Sequence, residues 1–398
     1  MVMNRSSSLL PEQAKKIHLG VIFGGRSGEH AVSLMSARSV LNVLDLNRYE
    51  IIPIGITQDG RWVSEEIPRA TGRTSVLEAL QADLHHPEGN AIAALIPVTL
   101  LPEPSRSGVV QLLARINNSL VPLAELDAIF PVLHGTFGED GTLQGLFELT
   151  NIAYVGAGVL ASSVGMDKGL FKDVMRAYRL PTPEYHIVTR QKIETQMDQV
   201  LDEAEGVAAY PLFVKPVNLG SSVGVSKCRN RSDLLEGLLD AARYDRRVLI
   251  ERGINAREIE ISVLGNEDPI ASIPGEIRPG DEFYTYQAKY LYDTSELLIP
   301  APLEPGLAIQ MQNIAIQVYK AVDCAGMARV DFLLDRDTNQ PYISEINTIP
   351  GFTQISMYPK LWEASGLPYP RLVNRLVELA FERKRERDRT EYIYGGSA

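Results

Sequence analysis

Cysteine, long apolar runs and positive charge are all scarce in this chain of 398 residues, and each scarcity removes a class of protein. Cysteine occurs only at Cys228 and Cys324, with no CxxC pair. That excludes a disulfide framework and a cysteine-ligated zinc site, and it fits a reducing compartment. No run of about 18 apolar residues occurs, so no membrane-spanning helix is expected. The first residues, MVMNRSSSLLPEQAKK, lack the sustained apolar stretch of a secretory leader. The net charge is −11, against the basic surface that a nucleic-acid partner requires. Two glycine signatures are also missing. GGRSGEH does not fit GxGxxG, and NLGSSVG lacks the GK[ST] ending of a Walker loop. There is no internal repeat. What remains, 45% hydrophobic and 22% charged residues, is ordinary globular composition at a length for two or three domains. A cytoplasmic location is expected.

The most informative stretch that is present runs from Gly326 to Thr353, GMARVDFLLDRDTNQPYISEINTIPGFT. ARVDFLL and PYISEIN are β-rich, and DRDTNQ between them has turn composition, so the stretch reads as a hairpin. Folded symmetrically about Thr338, it sets Asp331 opposite Glu345 and Arg329 opposite Asn347, with all four side chains on one face. Directly opposed like charges repel. Two carboxylates and an amide oxygen make an oxygen-only ligand set suited to Mg²⁺ or Mn²⁺, which fill their remaining positions with water and phosphate oxygens. The stretch therefore reads as a nucleotide–metal site with Arg329 beside it; a solvated hairpin face is the alternative.

Upstream, IHLGVIF is a continuous apolar run of the kind found in buried parallel strands. It leads through GGRSGEH into a helical pattern, the first piece of a doubly wound unit. Glu29 stands at the helix start, either as an amine-binding carboxylate or as an ordinary first-turn acid. YEIIPIGIT is a second strand, and residues from about 65 to 125 read as irregular. DAIFPVLHG is a third strand ending at His134, at the carboxyl end where open α/β sheets place ligand groups. VLASSVGMDKGLFKDVMRAYRL reads as one helix that contains Lys168, ended by Pro181 and Pro183, and another helix is expected over about 191–205. Lys215 precedes NLGSSVG, a small-residue loop between strands. Its backbone N–H groups can cradle phosphate with help from Ser221 and Ser222. Glu251 ends an apolar strand and Glu258 follows it. The polar, aromatic stretch 277–300 has the length of a lid, with Lys289 and Tyr290 as its inward-reaching candidates. The tail FERKRERDRTEYIYGGSA reads as a solvated charge run.

In order, GGRSGEHAVS, LHGTFGEDGTLQG, SSVGMDK, FVKPVNLGSSVGVSK, VLIER, AKY, ARVDF and EINTIPGFT resemble the D-alanine–D-alanine ligases of the ATP-grasp superfamily, over residues from about 17 to about 380. The resemblance implies an α/β fold of three domains. These are a doubly wound, Rossmann-like N-terminal domain over 17–155 and two α+β domains enclosing ATP, over 156–255 and 256–385. A lid is expected over about 277–299, and residues 1–16 and 386–398 are tails. It further implies that Lys168 and Lys215 contact ATP phosphates under the Ser221–Ser222 loop, that Lys289 touches the γ-phosphate from the closed lid, that Glu251 and Ile254 hold the adenine side, and that Glu258 holds the ribose. Asp331, Glu345 and Asn347 would bind two Mg²⁺ or Mn²⁺ ions. Glu29 would fix the ammonium of the first D-alanine, while His134 and Arg329 meet its carboxylate and the charge developing there; Gly351 is a further substrate-binding residue. Ser356 and Met357 would position the second D-alanine, and Tyr290 would hydrogen-bond towards Ser221 and Glu29. Glu29, His134, Ser221, Tyr290 and Arg329 are the expected catalytic set.

The implied reaction joins two D-alanines through an acyl phosphate for peptidoglycan precursors, releasing ADP and phosphate. D-lactate or D-serine as second substrate, another carboxylate–amine ligation, and a non-catalytic nucleotide-binding regulator are the alternatives. AKY at 288–290 argues for the dipeptide, because members that make D-alanine–D-lactate commonly carry a different lid or replace this tyrosine. The partners expected are ATP, D-alanine and a second copy of the chain, with no nucleic acid and no membrane.

Overall fold

The computed structural model describes residues 15–66, 75–86, 91–278, 296–353 and 355–392. The first unit contains β1 (Ile17–Gly24), α1 (His30–Val43), β2 (Tyr49–Ile56), β3 (Trp62–Ser64), α2 (Ser75–His85) and β4 (Ile96–Leu100). It continues with β5 (Val110–Ile116), β6 (Ser119–Leu126), β7 (Ala128–Val132), α3 (Thr142–Thr150) and β8 (Ala153–Tyr154). They form one sheet ordered β6-β5-β4-β3-β2-β1-β7-β8. The apolar runs read as strands, β1, β2 and β7, form its parallel centre together with β8. From β2 to β6 every pairing is antiparallel.

The region expected to be irregular is therefore mostly sheet and helix. Its strands are short, proline interrupts β6 at Pro122, and that strand's first four residues are exposed, so the alternation that signals a strand is lost. The doubly wound expectation holds, and one face carries two helices. There α1 and α2 pack on the sheet. On the other face α3 is joined by the β5–β6 hairpin, which brings Leu112 and Leu126 against Ile22 and Ile54. Gly20 permits this approach, since a Cβ there would lie 3.3 Å from the Leu126 methyls.

The second unit is α4 (Val159–Met166), α5 (Lys168–Ala177), β9 (Tyr185–Thr189), α6 (Arg190–Thr195), α7 (Met197–Glu205), β10 (Leu212–Pro216), β11 (Ser226–Cys228), α8 (Arg231–Tyr244) and β12 (Arg247–Arg252). Its sheet is antiparallel, ordered β11-β10-β12-β9. Each of the two helical stretches read as continuous is broken. Asp167 leaves the helical conformation and caps α5 by accepting from the Leu170 N–H at 2.9 Å. Lys168 is consequently the first residue of α5 rather than an interior one. Gln196 separates α6 from α7.

The third unit is β13 (Ala256–Gly265), β14 (Ile270–Ala271), β15 (Gly275–Arg278), β16 (Glu296–Leu298), α9 (Pro305–Ala321), β17 (Gly326–Asp335), β18 (Pro341–Asn347), α10 (Met357–Ala364) and α11 (Tyr369–Arg387). The order is β16-β15-β13-β17-β18, again antiparallel, with β14 beside β13.

The last helix returns to the first unit. Leu372, Val373, Leu376 and Val377 of α11 share a core with Leu34, Val40 and Leu41 of α1. The charged end expected to be solvated docks instead. The Arg383 guanidinium lies 4.0 Å from the Tyr154 ring centroid and donates to the Tyr154 carbonyl at 3.3 Å. Arg387 donates to Asn151 Oδ1 at 3.0 Å and pairs with Glu148. Basic residues in a last helical turn suit the helix dipole, which explains their position; it is the acids and carbonyls of the first unit that enclose them.

Candidate active site

The hairpin of β17 and β18 has the anticipated pairing at its functional end, reached by a route the sequence did not reveal. Arg329 lies opposite Asn347 and Asp331 opposite Glu345, but Phe332 pairs with Ile343, one residue out of step. The turn itself therefore sets a different register, and a bulge at Ser344 restores the acid pair. Ser344 and Glu345 are consecutive yet similarly accessible, as a bulge requires. On the other side of β17, Glu260 of β13 is directly opposite Asp331. Three carboxylates, Glu260, Asp331 and Glu345, thus stand in one rank across three strands. Arg329 relieves part of their repulsion: its guanidinium forks onto Asp331 at 2.7 and 2.6 Å and lies 3.0 Å from Glu260. The Asn347 amide donates to Asp331 at 2.9 Å, and Lys168 Nζ lies 3.4 Å from Glu345.

This donor set fits Mg²⁺ or Mn²⁺. It is all oxygen, carries excess negative charge on one sheet face, and has phosphate-type lysines opposite. Among the described residues no three His, Cys, Asp or Glu side chains converge into a closed metal cage. An ion that borrows its remaining ligands from phosphate and water needs none.

On the neighbouring sheet Glu251 is buried between two lysines. Lys172 Nζ of α5 is 2.9 Å from Oε2, and Lys215 of β10 contacts Oε1. Burial would raise the Glu251 carboxyl, but the charges of Lys172 and Lys215 overcome it and hold the group down at about 2. Burial pushes Lys172 down, with Glu251 pulling against it and the like charge of Lys215 adding to it. For Lys215 burial also lowers, yet Glu251, Glu345 and Glu258 together lift it above the ordinary lysine value. Carboxylates of both sheets act on each of these lysines, Glu251 and Glu345 on Lys172 and Glu258 besides on Lys215. Ile254 is half-buried in the turn after β12, and Glu258 lies on β13 two residues before Glu260.

Glu29 is where the units meet. Ser221, at φ +53°, donates its hydroxyl to the Glu29 carboxylate from the loop between β10 and β11. Ser222 follows at φ +61°, another left-handed position in the same loop. From the other side Gly135, at φ +74°, comes so close that a Cβ there would lie 2.6 Å from Glu29 Oε2. His134 is buried beside them. Its Nδ1 lies 3.0 Å from the Ile349 carbonyl and Nε2 3.0 Å from Ser36 Oγ. A proton on Nδ1 donates to the carbonyl and leaves Nε2 to accept from the serine, so the ring is neutral. Burial lowers its pKa accordingly, the Glu29 charge and the Ile349 bond opposing that shift and Arg329 reinforcing it.

These groups sit in a chain with close relatives. Residues 18–157 match the family model described as the D-ala D-ala ligase N-terminus, and residues 174–378 match the D-ala D-ala ligase C-terminus. The chain is 46% identical over 383 residues to the D-alanine–D-alanine ligase of Natranaerobius thermophilus, covering 96% of this chain and all of that one. It is 48% identical over 371 residues to that of Heliobacterium modesticaldum, covering 93% and 96%. The chain belongs to the D-alanine–D-alanine ligase family. Among solved structures it resembles the D-alanine–D-alanine ligase of Coxiella burnetii, with a TM-score of 0.76 and 38% identity over 94% of this chain and 97% of that one. The VanG D-Ala:D-Ser ligase of Enterococcus faecalis gives a TM-score of 0.78 at 32% identity over 92% of this chain and all of the other.

Within this ligase family frame the remaining expected site residues fall into two groups. Ser356, just before α10, accepts from the Thr353 N–H at 3.0 Å, and its Oγ folds over Gly351, where a Cβ would meet it at 2.8 Å. Met357, the first residue of α10, is buried against Leu361 and Ile277. Lys289 and Tyr290, with most of the expected lid, lie outside the described residues. Sequence reasoning missed Lys172, Ser36, Glu139 and Glu260. Of these Glu260 left a local signal, as the partner of Glu258 at a spacing of two in a strand, on the same face, and Glu139 stands within the GTFGEDGTLQG motif.

Proposed function

We propose that this chain joins two D-alanine molecules into D-alanyl-D-alanine at the expense of ATP, through an acyl phosphate. The observation that carries the reading is the Glu260–Asp331–Glu345 rank facing Lys168 and Lys215 across two antiparallel sheets. ATP lies between those sheets, its adenine towards Glu251 and Ile254, its ribose towards Glu258 and its phosphates towards Lys168, Lys215 and the Ser221–Ser222 loop. Asp331, Glu345 and Asn347 would hold two Mg²⁺ or Mn²⁺ ions, whose chemistry is neutralisation of phosphate charge.

A carboxylate is a poor electrophile, so the γ-phosphoryl group is first transferred to the first D-alanine. The protein's part is positioning and charge neutralisation. Glu29, held by Ser221, fixes the substrate ammonium; Arg329 and the neutral His134 meet the carboxylate, and Gly351 is a further substrate-binding residue. The amine of the second D-alanine, near Ser356, then attacks the acyl phosphate, forming the C–N bond as phosphate leaves. Excluding water protects the intermediate, a role for the segment containing Lys289 and Tyr290.

Both substrates are small and polar, and among the described residues no helix is long and apolar enough to cross a membrane. A cytoplasmic enzyme that supplies peptidoglycan precursors, acting as a homodimer, completes the reading. The test is the mass of the product after incubation with Mg-ATP and D-alanine: the dipeptide is expected, and ATP hydrolysis indifferent to any D-amino acid would overturn the reading. Similarity to a D-Ala:D-Ser ligase keeps D-serine as the second reading. Competition of D-alanine, D-serine and D-lactate for the second position distinguishes them, with D-alanine expected to win near neutral pH.

A further inference from the structure

The motif GTFGEDGTLQG holds an acid that no step above uses. Glu139 follows His134 by five residues, and its carboxylate binds in two directions. Oε2 accepts from the Gly135 N–H at 2.6 Å, within the first unit. Oε1 accepts from the Ile349 N–H at 3.3 Å, in the segment that follows β18 in the third unit. The carbonyl of the same Ile349 accepts from His134 Nδ1 at 3.0 Å. Gly135 is the next residue after His134, so the contacts close a ring: His134, Ile349, Glu139, Gly135. A second tie runs beside it, since Ser36 Oγ accepts from the Phe352 N–H at 3.3 Å and meets His134 Nε2.

We propose that Glu139 is a positioning residue for the ligation: by bridging Gly135 and Ile349 it fixes the distance between Glu29 and His134 on one wall of the first-substrate pocket and the Thr348–Gly351 segment on the other. The proposal rests on the ligase reading above. Its physical basis is the separation of the two walls, 215 residues apart between His134 and Ile349 and carried by different sheets. A D-alanine bound by its ammonium on one wall and its carboxylate between both is sensitive to their spacing, because a misplacement of about 1 Å suffices to cost roughly two orders of magnitude in rate. An ordinary packing residue would not need a carboxylate here. Two N–H donors, one for each oxygen, call for a group that accepts at both, which among side chains of this length only the ionised acid does.

The ionised form is also held under tension. Loss of solvent raises the Glu139 carboxyl to about 8, with the charges of Glu29 at the start of α1 and Glu345 of β18 adding to the rise and the two N–H groups opposing it. His134 is the other titratable group at the ring, and it is neutral. The bridge is complete only when Glu139 is ionised, so it strengthens as pH rises through that value.

The test compares the parent enzyme with Glu139→Gln in steady-state ligation, reading the KM for D-alanine, the KM for ATP and kcat separately. Glutamine keeps the reach but offers one acceptor oxygen and turns its amide donors towards an N–H. At pH 9, where the parent's Glu139 is ionised, the D-alanine KM of the variant is expected to be about tenfold higher, the scale of one charge-assisted hydrogen bond, while the ATP KM stays within about twofold. The parent's kcat/KM for D-alanine should gain between pH 7 and 9 in a way that the variant does not. Glu139→Asp, which keeps the charge but draws it back by one methylene, carries the same KM comparison should the glutamine variant not fold. A parental D-alanine KM in either variant overturns the proposal, as do equal rises in both KM values. Failure of the parent itself to make the dipeptide would instead overturn the ligase reading.

Discussion

Lys172 and Lys215 share a single carboxylate, that of Glu251, with Lys172 Nζ 2.9 Å from one oxygen and Lys215 on the other. One lysine comes from a helix and the other from a strand, so the triad ties α5 to the sheet that carries Glu251 and Lys215. Removing one member of a buried ion pair leaves the other uncompensated, at a cost of about 3 kcal/mol or more. Lys172→Met should therefore lower stability by about that amount in denaturant titration and raise the KM for ATP. The acid side of the stability profile moves as well. Glu251 is depressed in the folded protein, so its contribution is complete above the ordinary carboxyl range and is lost as pH falls towards about 2. With Lys172 gone the folded carboxyl is less depressed, so that loss should be smaller and complete at higher pH. An unchanged ATP KM would detach the triad from nucleotide binding.

Asp331→Ala or Glu345→Ala should reduce kcat by about a thousandfold, because each would remove a ligand of the cations that neutralise the charge of the transferring phosphoryl group. The thermal midpoint should move little, since the partly accessible carboxylates bear little of the core. Near-parental turnover in either variant would remove the cation site from the mechanism.

Gly135→Ala places a Cβ 2.6 Å from Glu29 Oε2 and forces an alanine to φ +74°. The conformational cost is about 1–2 kcal/mol. Displacement of Glu29 should raise the D-alanine KM about tenfold, with the ATP KM held. If the D-alanine KM is unchanged, Glu29 does not bind the substrate ammonium.

Arg383→Ala separates docking from catalysis. The guanidinium 4.0 Å from the Tyr154 ring centroid and its bonds to the Tyr154 and Gly156 carbonyls together stabilise by about 2 kcal/mol. That loss should appear in equilibrium unfolding, with both substrate KM values at parental levels. A variant as stable as the parent would mean that the end of α11 is held by its apolar face alone.

Legibility followed the range of the interactions. Asp331 and Glu345 are 14 residues apart in one hairpin, and strand alternation puts them on one face with no knowledge of the rest of the chain. The same rule got the detail wrong: it centred the hairpin on Thr338, whereas the turn is offset and the bulge at Ser344 restores the pair. The apolar strands ending near Gly24 and His134 were legible for the same local reason. Residues 96–126 were not, because short strands with an exposed face leave no period to detect. Helices that break at Asp167 and Gln196 were read as continuous because apolar periodicity runs across both positions.

The sequence by itself determined the family, the order of the units, and the oxygen-rich hairpin with Arg329 beside it. Tertiary structure decided that Glu260 completes the acid rank, that Lys172 shares Glu251 with Lys215, that Glu139 bridges Gly135 to Ile349, and that the last helix covers the first unit. Hydrophobic period and turn chemistry specify neighbours a few residues apart. Which distant strand an acid faces is set only when the sheets pack and each buried charge must find its counter-charge.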